Sequence, residues 1–334
     1  MVNMNDVARE AKVSRGTVSN YLNKERVLPE SATRIKAAIS KLHYVRNAAA
    51  AEMRTQSSRY VVFITPTVWT PFFAELTYHI QKALNQKNYK MILCVSNSRY
   101  DEEREYVEMA QEQKVAGIIS ISYSQMNRHV APGMPLVSIE KDVTGLFPMV
   151  SSDNYSGGQL AAATLKQSGA KRQYFLGATH LESAAMQARY DGFKDYCEEH
   201  NIEFDIFKVP EIKDEKSLAL KGISVMLNQL ANSNKLIGSG IFTMSDEYGM
   251  AVYRQLQDMK VPVPAAVQII GFDGGRATAS DTPLLTSIRQ PVSEIARTAV
   301  DEFNKMIHHQ LEGPVPRIQL PISLYQGQTT QESK

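Results

Sequence analysis

The chain has few of the features that staple small secreted proteins or insert proteins into membranes. Its 334 residues include only two cysteines, Cys94 and Cys197, and neither has a second Cys or a spaced His beside it. This excludes a disulfide framework and a zinc ligand set, so we expect buried free thiols. No apolar run approaches the roughly 20 residues of a membrane-spanning helix. The first ten residues carry Asp6, Arg9 and Glu10 rather than a secretory signal, so we expect a cytoplasmic protein.

The sequence motifs of common catalytic sites are also missing. The chain has no HExxH, no phosphate-binding P-loop, no GxSxG and no glycine-rich fingerprint after a strand. Asp153, Asp246 and Asp273 could form a carboxylate set for acid–base chemistry, but no evident nucleophile accompanies them. We therefore expect a protein that is not an enzyme and that uses no cofactor or metal ion.

Positive charge, by contrast, is concentrated at the start of the chain. Residues 1–55 contain ten Lys or Arg and five Asp or Glu, a net charge of +5, whereas the remaining residues carry a net charge of −3. A small basic unit attracts polyanions because each neutralised phosphate releases a counterion. A merely solvated surface would have the same charge, so the pattern of side chains has to decide between the two.

That pattern predicts three short helices in the basic segment, residues 1–45. Asn3 can cap the first helix, with Asp6 three residues later, and Ser14 can cap the second after a three-residue turn. Two short helices joined in this way form a helix-turn-helix. Pro29 begins the third helix. Apolar residues at helical spacing close a small core over the pair, and they are Ile35, Ala38, Ile39 and Leu42.

The rest of the chain has a different organisation. Residues 46–58 are alanine-rich and then polar, which predicts a short hinge helix and a linker. Residues 59–330 alternate apolar strand-like runs with helical patterns, which predicts doubly wound parallel α/β sheets. Because roughly 270 residues exceed one comfortable core, we expect two lobes with a ligand-binding cleft at the carboxyl ends of the strands.

A series of short motifs runs through the whole chain in a fixed order. In the first segment they are residues 2–11, Val13-Ser14, Thr17-Val18-Ser19, Leu22-Asn23, Thr33-Arg34, Tyr44, Asn47-Ala48 and residues 53–55. In the remainder they are residues 71–76, Asp153-Asn154, Arg189, Gly192-Phe193, Ser245-Asp246, residues 271–273 and residues 289–291. In this order the motifs resemble the LacI/GalR family of bacterial transcription regulators over nearly the whole chain.

The resemblance implies a dimeric DNA-binding head, a hinge helix and a two-lobed core of the periplasmic-binding-protein type. In that fold the chain crosses between the lobes three times, here near residues 151–153, 281–286 and 314–317. We therefore expect a first lobe of about residues 59–152 and 286–314. The second lobe should consist of about residues 153–283 and 317–328.

The resemblance also implies which residues contact operator DNA. The candidate base readers, at the start of the recognition helix and on its exposed side, are Arg15, Gly16 and Asn20. The family commonly has Arg at the last of these positions. The candidate contacts to the DNA backbone are Thr17, Ser19, Asn23 and Asn47. Met53 is at the position of the apolar side chain that wedges into the minor groove.

In the core, the resemblance implies a small-molecule effector in the cleft. The candidate binding residues are Phe73, Arg189, Asp246, Asp273, Asp153, Ser245, Trp69 and Tyr123. Carboxylates accept hydrogen bonds from hydroxyl groups, Arg donates a fork of N–H groups, and an aromatic face covers a sugar ring. We expect a sugar or sugar derivative, with sugar phosphates and nucleobases left open. Asp153 could instead tie the hinge, and Ser245 replaces an Asn that is common in the family.

Two alternatives to an effector-controlled repressor stay open. One is a solute-binding receptor whose DNA-binding head is vestigial. The other is a regulator controlled by a phosphocarrier protein, which some relatives use as a partner. The sequence also leaves open whether the effector releases the repressor from DNA or recruits it.

Overall fold

The structure, a computed structural model, describes most of the chain. The described residues are 2–23, 25–45, 58–122, 124–141, 144–179, 183–210, 212–276, 278, 280, 282–311 and 313–331. The chain divides into two compact units, Met1–Ser57 and Ser58–Lys334, which we call the head and the core and describe separately. This division lies within the predicted linker, of which residues 46–57 are outside the described residues.

The head contains three helices whose ends are set by the predicted caps. They are α1 (Met4–Ala11), α2 (Arg15–Leu22) and α3 (Pro29–Lys41). The backbone N–H of Asn3 donates to Asp6 at 3.0 Å, and the side chain of Asn3 accepts from the N–H of Asn5 at 2.8 Å. The Ser14 hydroxyl accepts from the N–H of Thr17 at 3.1 Å. The predicted caps are confirmed, and each such cap stabilises a helix by about 1 kcal/mol.

A small apolar core holds the three helices together. Its buried members are Val7, Ala8, Ala11, Val18, Ile35 and Ala38. Val18 is fully buried and is the one residue of α2 that belongs to this buried set. The second helix therefore keeps most of its polar side chains outside the core of the head.

The first lobe of the core is built on a six-stranded parallel sheet within the described chain. Its strands are β1 (Tyr60–Thr65), β2 (Lys90–Val95), β3 (Gly117–Ile121), β4 (Leu136–Ile139), β5 (Met149–Ser152) and β11 (Arg317–Leu320). Their spatial order is β11-β5-β4-β3-β1-β2. Helices α4 (Pro71–Gln86) and α10 (Val292–Ile307) cover one face, α5 (Tyr100–Glu112) covers the other, and Met126–His129 form a 3-10 helix. Because both faces are covered, β1 is an almost continuous apolar run.

The second lobe repeats this architecture around a second sheet. Its strands are β6 (Arg172–Ala178), β7 (Phe204–Val209), β8 (Ser239–Thr243), β9 (Val267–Asp273), β10 (Thr286–Arg289) and β12 (Ser323–Tyr325). Their order is β12-β10-β9-β8-β6-β7, parallel except for the antiparallel β10–β12 pair. Its helices are α6 (Asn154–Gln167), α7 (Ala184–Glu199), α8 (Ile212–Asn232) and α9 (Asp246–Asp258). The predicted fold, a helical head and a two-lobed α/β core, is confirmed.

Two of the three predicted crossings between the lobes were wrong by several residues. Strand β10 pairs with β9 of the second lobe, so the chain crosses after Arg289 and not at residues 281–286. Strand β11 pairs with β5 of the first lobe, so the last crossing follows Leu320 and not residues 314–317. These strands are short, and β11 alternates exposed and half-buried residues, so neither has the continuous apolar run that marks a buried parallel strand.

Both cysteines of the chain lie in the core. Cys94 and Cys197 are buried free thiols, as predicted. None of the described helices is long and apolar enough to cross a membrane. Across the described residues, no three His, Cys, Asp or Glu side chains form a group that could hold a metal ion.

Candidate functional site

The outward side of α2 in the head presents the predicted base readers. Arg15, Gly16 and Asn20 are all exposed, whereas Val18 points into the core of the head. Because Ser14 caps the helix, Arg15 is its first residue. The arrangement offers a guanidinium and an amide on one polar edge, and both groups are suited to base edges in a major groove.

Two of the predicted DNA-backbone contacts are less exposed than the base readers, whereas Asn23 is exposed. Thr17 and Ser19 are half-buried, and the Thr17 hydroxyl lies 2.9 Å from the hydroxyl of Ser14. Asn23 is the C-terminal cap of α2. Asn47 and the predicted wedge, Met53, lie outside the described residues.

In the core, the polar residues on the cleft side of the second lobe are arranged around a buried arginine. Arg189 on α7 donates from Nε to Asn154 Oδ1 at 2.8 Å and from Nη1 to the carbonyl of Met244 at 2.7 Å. Its Nη1 also lies 3.8 Å from Asp273 Oδ1. The guanidinium carbon is 3.6 Å from the centre of the Phe272 ring. These contacts on every side fix the orientation of the guanidinium.

Two glycines allow α7 to bring Arg189 to this position. A Cβ at Gly158 of α6 would collide with the backbone of α7 at Arg189, and a Cβ at Gly192 would collide with the backbone of α6 at Tyr155. The two helices therefore pack backbone against backbone. Gly192 belongs to one of the motifs of the sequence, and this close approach is the physical reason for a glycine there.

Two aspartates lie with Arg189 on the cleft side of the second lobe. Asp246, at the start of α9, accepts from the Ser287 hydroxyl at 2.5 Å and from the N–H of Gly275 at 3.0 Å. A Cβ at Gly271 would overlap its carboxylate, so glycine there makes room for it. Asp273 ends β9 with a φ of 112°, a backbone conformation that L-residues rarely adopt and that is often found at functional sites.

Burial raises the pKa of both aspartates. For Asp246, burial and the nearby carboxylate of Asp273 outweigh the hydrogen bonds that favour the ionised form. For Asp273, burial outweighs the opposing effect of Arg189. Two carboxylates so close together cannot both ionise freely. The cleft side of the second lobe therefore disfavours additional negative charge.

A closed set of hydrogen bonds links these anchors to the strands that cross between the lobes. The Ser152 N–H and the Asn154 amide donate to the two oxygens of Glu140, both at 2.8 Å. The Ser152 hydroxyl donates to Gln290 Oε1 at 2.7 Å, and Gln290 Nε2 donates to Asp273 Oδ1 at 2.7 Å. Since Asn154 accepts from Arg189, the set joins the cleft to the first two crossings.

The set contains residues that sequence reasoning missed as site residues. Glu140 and Gln290 are buried and polar, and Glu140 follows β4 with a φ of 65°. A charged residue directly after an apolar strand was the signal available in the sequence, whereas its left-handed backbone is visible only in the structure. Gln290 was part of a motif, but only the structure brings it to Asp273.

The two lobes also touch through an ion pair beside the cleft. Arg289 of the second lobe donates from Nη2 to Glu75 Oε1 of α4 at 2.5 Å and from Nη1 to the carbonyl of Gly274 at 2.5 Å. A Cβ at Gly275 would collide with the backbone at the start of α4. In this conformation the loop that holds Asp246 therefore packs directly against the first lobe.

The remaining predicted cleft residues have different surroundings. Phe73 is half-buried on α4, with its ring centre 5.1 Å from that of Phe72 in an edge-on contact. Trp69, just before this helix, is 93% exposed and covers no part of the cleft in this conformation. Ser245 is the N-terminal cap position of α9, beside Asp246. Tyr123 lies outside the described residues.

Asp153 has a structural task at the first crossing. Its carboxylate accepts from the N–H of Ser156 at 3.1 Å and from the hydroxyl of Ser156 at 2.7 Å, which caps α6. Of the two roles left open for it, the contacts favour fixing the crossing over binding an effector. Its neighbour Asn154 is the residue that contacts Arg189.

Comparisons with known proteins agree with this geometry. Residues 3–47 match the bacterial regulatory proteins of the lacI family, and residues 162–330 match a periplasmic binding protein-like domain. The sucrose operon repressor of Streptococcus mutans is 30% identical over 98% of each chain. A periplasmic binding protein/LacI transcriptional regulator from Alkaliphilus metalliredigens, solved with D-xylulofuranose, is 26% identical, with a TM-score of 0.70 over 82% of this chain and 99% of that one. The operator-bound Lac repressor dimer has a TM-score of 0.81 at 19% identity over 99% of each chain.

A helix-turn-helix head followed by a two-lobed core with a polar cleft defines a class of DNA-binding regulators with binding-protein-like cores. The chain belongs to the LacI family of bacterial regulatory proteins. The family predicted from the motifs is confirmed, and the protein is a DNA-binding transcriptional regulator.

Proposed function

We propose that the protein is a homodimeric repressor that binds an operator with two half-sites and is controlled by a sugar in the cleft of the core. The observation that carries the proposal is the set of buried Arg189 and half-buried Asp246 and Asp273 at the carboxyl ends of the strands of the second lobe. Ligands bind at this edge in open parallel sheets. An operator-binding protein of this kind acts in the cytoplasm, and no step of the proposal is catalytic.

The chemistry of the cleft favours a ligand with many hydroxyl groups. Asp246 and Asp273 have more lone pairs than their present partners use, so they can accept from sugar hydroxyls. Phe73 offers an apolar ring from the opposite lobe. The relative solved with D-xylulofuranose and the sucrose operon repressor support the same ligand class.

The charges favour an uncharged sugar over a phosphate ester. Arg189 is already bonded to Asn154 and the carbonyl of Met244, and Arg289 is already paired with Glu75. Each guanidinium already uses two of its three nitrogens for contacts inside the protein, which leaves few donors for a phosphate. A dianionic phosphate would therefore find few donors in an environment that already opposes the ionisation of both aspartates.

In the head, we propose that Arg15, Gly16 and Asn20 read bases, while Thr17 and Ser19 contact phosphates. The exposure of the first three residues supports this division. One short recognition helix contacts few base pairs, so two heads on two half-sites are needed for a selective complex. The homodimer is tested by light scattering, and a monomer at the concentration that binds DNA would contradict it.

The effector is tested by the thermal unfolding of the full-length protein with matched pairs of sugars and their phosphate esters. A ligand at 100 times its Kd stabilises the folded state by about 2.7 kcal/mol, which raises the Tm visibly. We expect a free sugar to raise the Tm and its ester to do so less. No shift with any sugar would contradict the sugar proposal and would favour control by a protein partner.

Asp246→Ala and Asp258→Ala are the matched variants for this test. Asp258 is exposed at the end of the same helix. Because removing a buried carboxylate changes the Tm by itself, the quantity to compare is the sugar-induced shift. We expect Asp246→Ala to abolish the shift and Asp258→Ala to retain it.

A further inference from the structure

The amide of Asn20 in the head is held by two acceptors of the protein itself. When the amide is oriented by its hydrogen-bond partners, Nδ2 lies 3.1 Å from Glu25 Oε2 and 3.2 Å from the carbonyl oxygen of Gly16. The opposite assignment of the amide would turn its oxygen against both acceptors, so the nitrogen is the atom that faces them. Glu25 is three residues beyond the end of α2 and exposed.

Local geometry explains why these three residues meet. Gly16 and Asn20 are four residues apart on α2, so they are neighbours on its surface. A Cβ at Gly16 would have only the Ser14 hydroxyl within 4 Å, at 3.6 Å, so the surface above Gly16 is open. The N–H of Glu25 donates to the carbonyl of Asn20 at 2.9 Å, which turns the chain back toward the helix. The Glu25 carboxylate is thereby brought to the amide.

This arrangement leaves Asn20 with one kind of group to offer to a base. An asparagine amide has two N–H donors and one oxygen acceptor. Glu25 and Gly16 occupy both donors. The usual bidentate contact with adenine needs a donor to N7 as well as an acceptor for the N6 amino group. With its donors occupied, the amide can only accept.

We propose that Glu25 is a specificity-determining positioning residue, which holds the amide of Asn20 so that its oxygen accepts from an exocyclic amino group of the operator. In the major groove both adenine and cytosine present such a group, at N6 and N4. The protein should therefore tolerate either base at the position that Asn20 contacts. The inference rests on the proposed role of Asn20 in base reading.

Removal of Glu25 should sharpen the recognition of this base. In Glu25→Ala one donor of Asn20 becomes free and can reach N7, which only a purine carries, so adenine gains a second hydrogen bond. Good bidentate pairs discriminate by about tenfold or more. A residue that merely supported the fold would weaken binding to every sequence and would not improve selectivity at one position.

The test is selection of binding sites from a randomised half-site library with the full-length protein. The wild type should accept adenine and cytosine within about threefold of each other at one position, and Glu25→Ala should prefer adenine there by about tenfold. Glu25→Gln keeps an acceptor for Asn20 without the charge, so it should restore the wild-type pattern. Glu30→Ala removes an exposed charge at the start of α3, so it should raise affinity at low salt without changing base preference.

Asn20→Ala separates this inference from the role on which it rests. If Asn20→Ala changes the preferred base but Glu25→Ala leaves the wild-type pattern, then Asn20 reads a base and the assignment of Glu25 is wrong. If Asn20→Ala leaves every preference unchanged, then Asn20 reads no base, and both the role and the inference are overturned. A melting temperature within 2 °C of the wild type, measured for each variant, would exclude unfolding as the cause.

Discussion

The head and the cleft of the core expose their functional groups in opposite ways. In the head, Arg15 and Asn20 lie on the surface of a helix that one buried valine anchors. In the cleft, Arg189 is 5% exposed and donates hydrogen bonds from Nε and Nη1 to other parts of the protein. A group that reads DNA must be free to meet a partner. A group that links a ligand to two lobes must instead be part of the packed structure. Substitutions in the head should therefore affect DNA binding without affecting stability, whereas substitutions in the cleft should affect ligand binding and stability together.

The largest effect that would sharpen this contrast is expected at Arg189. Arg189→Met leaves Asp273 without its cation and two buried acceptors without a donor, so the free energy of unfolding should fall by about 3 kcal/mol. Urea denaturation of the wild type and the variant measures this, and calorimetry should show that sugar binding is lost. Arg189→Lys keeps the charge but not the fork of donors, so it should recover stability only in part. An unchanged unfolding midpoint for Arg189→Met would contradict the expectation that stability and sugar binding change together in the core.

The matching substitution in the head should leave stability intact. Arg15→Ala should reduce discrimination between operator and random DNA by about 2 kcal/mol, because a bidentate contact with a base is lost. The free energy of unfolding should change by less than about 0.5 kcal/mol, since Arg15 is exposed. Arg9→Ala, which removes an exposed charge from α1, is the control and should lower affinity for all DNA alike. Equal losses of selectivity in both variants would reject Arg15 as a base reader.

A smaller effect is expected at the contact between the lobes. Glu75→Gln replaces an ion pair with Arg289 by a neutral hydrogen bond. This should destabilise the conformation in which the two lobes touch by about 1 kcal/mol. Small-angle scattering of the isolated protein should then show a larger radius of gyration, and sugar affinity should fall about fivefold. Glu294→Gln, at an exposed position of α10, is the control. An unchanged radius of gyration and affinity would show that the pair does not hold the lobes.

The last expected effect is the pH dependence of stability, which should come from the core alone. Burial raises the pKa of Asp246 and Asp273, so the folded state binds protons more tightly than the unfolded state. Stability should therefore fall as pH rises from about 4 through the raised pKa values, with a limiting slope of about 1.4 kcal/mol per pH unit for each group that is protonated only in the folded state. Asp246→Asn should flatten this slope in urea denaturation between pH 5 and 8. Asp273 should leave a residual slope below about pH 6, so an unchanged slope up to pH 8 would show that Asp246 is not a titrating group.

How far the sequence predicted each region follows from how local its determinants are. Caps such as Asn3 and Ser14 act within three residues, and both were predicted correctly. The hydrogen bond between Ser152 and Gln290 joins residues 138 positions apart, and no periodicity reports such a contact. Motifs identified Arg189 and Asp273 as candidates, but Glu140 belongs to no motif and appears only when β4 and β5 are paired.

The misplaced crossings have the same physical origin. Strands β10, β11 and β12 are each four residues or fewer, and they lie at or near the edges of their sheets. Partial exposure permits polar residues in β11 and β12, whereas the polar Thr286 and Ser287 of β10 are buried and hydrogen-bonded, so none of the three strands is an apolar run. The longer strands that are buried along nearly their whole length, such as β1 and β9, were visible as apolar runs. Long-range pairing, and not local propensity, therefore determines where the chain changes lobes.

The reciprocal dependence of DNA and sugar binding tests the central claim most directly. This test uses an operator obtained by selection and a sugar that binds the protein. Operator affinity is measured by fluorescence anisotropy with and without the sugar. Sugar affinity is measured by calorimetry with and without the operator. If the cleft controls the head, both affinities must change by the same factor, which for regulators of this kind is typically 5- to 150-fold. A sugar that binds the core with the same affinity whether or not operator is present would contradict the account.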